Sequence, residues 1–133
     1  MTGDPGNAPP PPLILFAEDE PPVRDMLVVA LRLSGYRSVP CFDGQDAVER
    51  LATEADVALV LVDLRMPRLD GLGVIRHVRA TPALAHLPVI AMSAYSDDLQ
   101  QREVTEAGAN AFLPKPFTIQ QLVTVIDRFV PRP

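Results

Sequence analysis

With 133 residues, 17 acidic and 12 basic side chains, a net charge of −5 and a sequence pI near 4.9, the chain is sized for one domain around one core. That acidic balance argues against a primary nucleic-acid binder, which needs a basic face for phosphates. The single cysteine, Cys41, excludes an internal disulfide and fits a reducing compartment, and the longest apolar stretch, 26–33, is broken by Arg32 and far short of the roughly 20 residues of a membrane span.

The opening MTGDPGNAPPPP, 1–12, has neither the basic region nor the apolar segment of a secretory signal, and its prolines favour an extended, solvated tail. A PxxP-type ligand at 9–12 is the functional alternative to a plain leader, and a cytoplasmic protein is expected. LILFA (13–17) predicts a strand, followed by a helix at 22–34 closed by Gly35. On a helical wheel Val23, Met26, Leu27, Ala30 and Leu31 face the core, with Val28 and Val29 beside the polar side. YRSVPC (36–41) suits an edge strand, since Pro40 cannot donate to a ladder. A helix at 44–54 and a strand VALVLV at 57–62 come next, then a helix at 71–80 and a strand PVIAM at 88–92. A polar helix at 97–107, N-capped by Ser96 and docked through Leu99, Val104 and Ala107, ends at Gly108. The edge strand NAFL (110–113) and a helix at 119–129 complete the body, with Thr118 and Gln121 as a capping box. Asp43 and Asp70 read as caps or turn formers, His77 and His86 as ordinary polar residues, and Cys41 as a buried, inert thiol.

Strand and helix alternate five times between a tail at 1–12 and another at 131–133, so the body 13–130 is α/β, a doubly wound parallel sheet with helices on both faces. Ligands of such sheets gather beyond the carboxyl ends of the strands, at the topological switch point. Those ends carry Glu18, Asp19 and Glu20 after the first strand, Asp63 after the third, Ser93 after the fourth and Lys115 after the fifth. In strand order 2-1-3-4-5 the first and third strands are neighbours, and Glu18, Asp19 and Asp63 crowd together. Like charges a few ångströms apart repel by about 4 kcal/mol at an effective dielectric near 20. Either a cation offsets that repulsion or one carboxyl stays protonated. Mg²⁺ is one available cation, because it takes oxygen ligands. Lys115 is another. It is the one lysine among 12 basic residues, a compact ammonium able to reach a single oxygen where guanidinium is a broad fork.

LILFAEDEP, LVLVDLRMPRLDG, PVIAMSAY and GANAFLPKPF, in this order and spacing, resemble the signature segments of the response-regulator receiver domain of two-component signalling, over residues 13–130. The resemblance implies a flavodoxin-like (βα)5 fold with strand order 2-1-3-4-5 and a phosphorylation-dependent switch. Asp63 matches the phosphoacceptor, which takes a phosphoryl group from phosphohistidine. Asp19 matches the direct Mg²⁺ ligand, Glu18 the second acidic position, and the Arg65 carbonyl the third protein ligand beside Asp63. Ser93 matches the switch hydroxyl, Lys115 the lysine on a phosphoryl oxygen, with a cis Lys115–Pro116 peptide, and Phe112 the aromatic switch. The Ala94 N–H completes the donors around the phosphoryl group. Glu18 stands where Asp is commoner, which points to a water-mediated metal contact, and Phe112 lacks the hydroxyl of the usual Tyr.

The implied partners are a sensor histidine kinase or histidine phosphotransfer protein, docking near the first helix, and a downstream protein target. That target would use the face of helix 97–107, strand 110–113 and helix 119–129, with no direct nucleic-acid or membrane contact. No enzymatic activity is expected beyond the domain's own phosphorylation and dephosphorylation. Arg65 and Tyr95 flank the path of a hydrolytic water, so slow loss of phosphate is expected. A phosphorylation-independent pseudo-receiver, or a receiver belonging to a longer regulator or hybrid kinase, are the alternatives. A flavin-binding electron carrier would need a phosphate-binding loop where EDEPPV stands.

Overall fold

The computed structural model describes residues 10–94 and 97–131. Five parallel strands, β1 (Leu13–Ala17), β2 (Arg37–Cys41), β3 (Val57–Asp63), β4 (Val89–Ser93) and β5 (Ala111–Pro114), form one sheet in the order β2-β1-β3-β4-β5. The connecting helices are α1 (Pro21–Leu33), α2 (Gly44–Thr53), α3 (Gly71–Ala80), α4 (Asp98–Ala107) and α5 (Ile119–Asp127). This is the doubly wound, flavodoxin-like order expected from the alternation, with β2 and β5 at the edges.

The continuous apolar strands follow from burial on both faces. Alternate residues Ile14, Phe16, Leu59, Leu61, Ile90 and Met92 pack with Leu27 and Leu31 of α1 and Leu122 and Ile126 of α5. Their neighbours Leu15, Ala17, Val60, Val62 and Ala91 pack on the other face with Ala47 and Leu51 of α2, Val74, Ile75 and Val78 of α3, and Val104 of α4. Cys41 is fully buried in this second layer, where desolvation pushes its thiol up to about 12. Tyr36, just before β2, donates its hydroxyl to Asp127 at the end of α5.

Local chemistry sets the helix ends. Asp43 and Asp70 cap α2 and α3 by accepting from the Asp46 and Gly73 amides, and Thr118 and Gln121 form the capping box of α5. Gly108 closes α4 at φ 117°, a left-handed conformation that suits a residue without Cβ. Pro21 opens α1, where a missing N–H leaves no intrahelical bond unmade.

Three expectations are corrected. The cap of α4 is Asp97, whose side chain accepts from the Gln100 amide; Ser96, assigned that role from the sequence, lies outside the described residues. Leu99 does not dock α4, being 66% exposed, and Val104 alone is buried from that helix. On α1 the core stripe is narrower than the wheel suggests: Leu27, Ala30 and Leu31 are buried, Val23 is half-buried, and Met26 is exposed. Both misplaced residues sit at a flank of their apolar stripe, where a wheel cannot tell packing from solvent. The expected tails fall largely at 1–9 and 132–133, outside the described residues.

Burial on the central strand and exposure on α4 set opposite mutational outcomes. Leu61→Ala, at a fully buried site, is expected to cost about 3 kcal/mol through transfer and cavity terms. Leu99→Ala should stay within about 0.5 kcal/mol of the parent. Urea denaturation of both variants checks the pair, and a large loss for Leu99→Ala would contradict its solvent placement.

Candidate functional site

The carboxyl ends of β1, β3, β4 and β5 converge on a cleft of about 370 Å³ lined by Asp19, Glu20, Val23, Asp63, Arg65, Ser93, Ala94 and Lys115. The register explains the convergence. Ala17 pairs with Val62, and Asp63 with Met92, so the residues that leave each strand emerge side by side.

Glu18, Asp19 and Asp63 each offer one carboxylate oxygen to a cluster whose members lie within 4.8 Å of one another. Glu18 is fully buried, Asp63 6% exposed, and Asp19 half-buried. The Lys115 ammonium answers this crowding: its Nζ lies 2.6 Å from Glu18 Oε1 and 3.2 Å from Asp63 Oδ1. The second oxygen of Glu18 accepts from the Glu20 amide at 3.3 Å, and Arg24 of α1 donates to the Glu18 carbonyl at 2.9 Å. Lys115 is placed by its own amide, which donates to the Ser93 carbonyl at 2.8 Å, and the Lys115–Pro116 peptide is cis.

One ammonium does not neutralise three carboxylates. Burial pushes the Asp63 carboxyl up to about 6, against the pull of Lys115 and with a further push from Glu18 and Asp19. Lys115 is itself desolvated, which works against its charge, yet the hydrogen bond to Glu18 and the charge of Asp63 hold its ammonium above the ordinary lysine value. The cluster therefore retains negative charge on hard oxygen donors, the donor chemistry that a divalent cation such as Mg²⁺ accepts.

Ser93 is 1% exposed and donates its hydroxyl to Gln100 Oε1 on the first turn of α4 at 3.3 Å. The chain leaves β3 through a tightly supported turn. The Leu64 amide donates to the Met92 carbonyl at 2.9 Å, and the Gly71 amide to the Leu64 carbonyl at 3.1 Å. A Cβ on Gly71 would stand 2.6 Å from the Asp63 carbonyl oxygen, so α3 begins hard against the backbone of Asp63.

Of the residues singled out from the sequence, Glu18, Asp19, Asp63, Ser93 and Lys115 meet at this cleft, with Arg65 and Ala94 on its wall. Phe112 lies elsewhere, half-buried on edge strand β5 beside Leu113, Gln120 and Val125. Tyr95 lies outside the described residues. Sequence reasoning missed Gln100 as the partner of Ser93, Arg24 as the support of the Glu18 carbonyl, and a bidentate pair between Arg68 and Asp43. The one available signal was the run of polar residues that opens α4, Asp98, Gln100 and Gln101, and it bears only on the partner of Ser93.

Together, fold and site define a doubly wound α/β module with an acidic, lysine-bridged cleft at its switch point. Residues 14–127 match the response regulator receiver domain family, and the chain belongs to it. The chain is 38% identical over 110 residues to the response regulator MprA of Mycobacterium ulcerans, covering 83% of this chain and 46% of that protein. It thus spans about half the length of the curated relatives it matches. The receiver domain of the sensor histidine kinase PA1611 from Pseudomonas aeruginosa superposes with a TM-score of 0.82 at 31% identity, over 90% of this chain and 97% of that one, and carries magnesium in its active-site cleft. A response regulator receiver protein from Pseudomonas putida gives a TM-score of 0.83 at 28% identity, over 91% and 99% of the two chains. Phosphorylation-dependent signalling is the general role of this family, and no helix among the described residues is long and apolar enough to cross a membrane.

The raised Asp63 carboxyl has a stability consequence in metal-free protein. With a folded value of about 6 against an ordinary 3.8, its contribution is fully present below pH 4 and is lost as pH rises through 6. Asp63→Asn should therefore gain about 1–2 kcal/mol over the parent at pH 7.5 in the presence of a chelator, after discounting for water in the cleft. The gain should vanish near pH 4. Thermal melts across that range measure it, and a constant difference between the two proteins would count against the desolvated carboxylate.

Proposed function

We propose that this receiver domain is a switch whose Asp63 carboxylate takes a phosphoryl group from the phosphohistidine of a sensor histidine kinase or a histidine phosphotransfer protein. The observation that carries the reading is the Lys115 ammonium set between Glu18 and Asp63, with a buried serine hydroxyl in the same cleft. A cation so placed can exchange a carboxylate oxygen for a phosphoryl oxygen with little movement.

In the transfer an Asp63 oxygen forms the new bond to phosphorus as the phosphorus–nitrogen bond of the donor breaks. The bonding electrons leave with the imidazole nitrogen, and the product on this chain is an acyl phosphate. Asp63 must be ionised to attack, and with its carboxyl at about 6 it is mostly carboxylate at neutral pH. Lys115 takes one phosphoryl oxygen, the Ser93 hydroxyl another, and the Ala94 N–H supports the charge that gathers there. Asp19, Asp63 and the Arg65 carbonyl, with Glu18 adjoining, would hold Mg²⁺. When bound, Mg²⁺ supplies positive charge to the phosphoryl oxygens.

The same residues connect the site to a partner surface. A phosphoryl oxygen competes for the Ser93 hydroxyl that now donates to Gln100, so phosphorylation would act on the first turn of α4. Phe112 and the groove it shares with Gln120, Thr124 and Val125 belong to the neighbouring face of β5 and α5. A downstream protein that reads α4, β5 and α5 would sense this change.

Incubation with Mg²⁺ and acetyl phosphate, followed by peptide mass spectrometry, should place one phosphoryl group on the peptide containing Asp63 and none on Asp63→Asn. Retention of the group in that variant would move the acceptor elsewhere. Arg65 stands on the cleft wall, and with Tyr95 it is expected to obstruct a hydrolytic water. The double substitution Arg65→Ala, Tyr95→Ala should shorten the acyl phosphate half-life by about tenfold, the equivalent of roughly 1.4 kcal/mol of barrier. An unchanged half-life would sink that obstruction.

A further inference from the structure

Outside the cleft, the turn that follows Asp63 is gripped from the side by an ion pair to which no role has been given. Arg68 donates from Nε to Asp43 Oδ2 at 2.6 Å and from Nη2 to Asp43 Oδ1 at 3.1 Å, a two-point fork between the β3–α3 turn and the start of α2. Asp43 is 4% exposed and is fixed in turn by the Asp46 amide, which donates to Oδ1 at 2.8 Å. The Arg68 guanidinium also lies over the ring of Phe42, 5.9 Å from its centroid.

Two backbone observations show that this grip holds the turn in a conformation it would not choose freely. Arg68 has φ 67°, in the left-handed region that residues with a Cβ seldom occupy. Such a residue persists where its surroundings over-determine it. The adjoining contact is equally close: a Cβ on Gly44 would lie 1.9 Å from the Leu69 carbonyl oxygen, so α2 begins against the backbone of the turn itself. The turn is thus pinned at Leu64 by the Met92 carbonyl, at Gly71 by the Leu64 carbonyl, and between them by Asp43 through Arg68. Arg65, whose carbonyl is the third protein ligand in the functional reading above, falls inside that span.

We propose that Asp43 and Arg68 are positioning residues for the cation site. Their ion pair braces the β3–α3 turn so that the Arg65 carbonyl and the Asp63 carboxylate are held at a fixed spacing before any ligand arrives. The inference rests on the reading of the cleft as a Mg²⁺-dependent phosphoacceptor site. It goes beyond that reading by assigning part of the site's geometry to a helix cap and a turn residue that do not line the cleft. The chemistry agrees, because the guanidinium beside Asp43 holds that carboxyl below its usual value and keeps the pair ionised at neutral pH.

Two variants test the brace. Asp43→Asn keeps a cap acceptor for α2 and loses the charge, while Arg68→Gly relieves the left-handed backbone and loses the fork. Mg²⁺ affinity, measured by isothermal titration calorimetry on the whole chain, should weaken by about three- to tenfold in both, in the range of outer-sphere effects on metal sites. The double variant should be no worse than either single one, since the two residues act as one unit. Amide exchange at positions 65, 66, 68 and 69 in metal-free protein should quicken in the same variants. Direct charge effects predict a different pattern, with Mg²⁺ binding weakened by the loss of Asp43 and strengthened by the loss of Arg68. A purely stabilising pair predicts altered melting with unchanged affinity. Either pattern, or unchanged exchange in folded variants, overturns the brace. If the parent protein binds no Mg²⁺, the functional reading fails by itself, and exchange of the turn amides still decides whether the pair fixes the Arg65 carbonyl.

Discussion

Three carboxylates sharing one cleft with one ammonium form the constraint on which the rest of the molecule turns. At an effective dielectric near 20, a pair of like charges about 4 Å apart costs roughly 4 kcal/mol. Glu18, Asp19 and Asp63 accumulate such terms, and Lys115 offsets part of them through contacts at 2.6 and 3.2 Å. The residual imbalance lifts the Asp63 carboxyl to about 6 and leaves the cleft attractive to a divalent cation. A site that satisfied itself electrostatically would have no reason to bind one.

The fold supplies this imbalance at a cost that the core carries. Strand order β2-β1-β3-β4-β5 sets the first and third strands side by side, so the acidic residues at their ends must meet. Both faces of those strands are filled with fully buried aliphatic side chains, from Ile14 and Leu61 on one side to Leu15 and Val62 on the other. Burial on that scale can hold a strained cluster in place, as functional sites commonly require. The cluster sits at the rim of this core, where water reaches Asp19 while Glu18 is sealed.

What the sequence disclosed follows from the same physics. LILFA, VALVLV and PVIAM announce strands because parallel strands covered on two sides need uninterrupted apolar residues. Acidic residues directly after such runs, and a lone lysine after the last, announce the cleft. The misses are of another kind. Arg68 with Asp43, Ser93 with Gln100, and Arg24 with the Glu18 carbonyl join different elements at separations of 25, 7 and 6 residues, and no periodicity marks a polar partner. The cap of α4 slipped by one residue because Ser96 and Asp97 carry the same chemistry in adjacent positions, and only backbone geometry distinguishes them. Leu99 and Met26 are apolar residues on partly polar stripes, where helical spacing alone does not decide burial.

The exposed Leu99 also bears on how a local charge change could travel. Helix α4 buries Val104 alone, begins at a single side-chain cap, and reaches the cleft through Gln100. An element with so little apolar surface committed to the core belongs to the low-stability end of a fold, where modest free energies shift populations. By contrast α3 starts against the Asp63 backbone and buries Val74, Ile75 and Val78, so it offers little freedom on the opposite wall. In the proposed function, a phosphoryl group at Asp63 would therefore meet a stiff wall at the β3–α3 turn and a pliant one at α4. Displacement should follow the softer side, and the Ser93 to Gln100 hydrogen bond lies on that path.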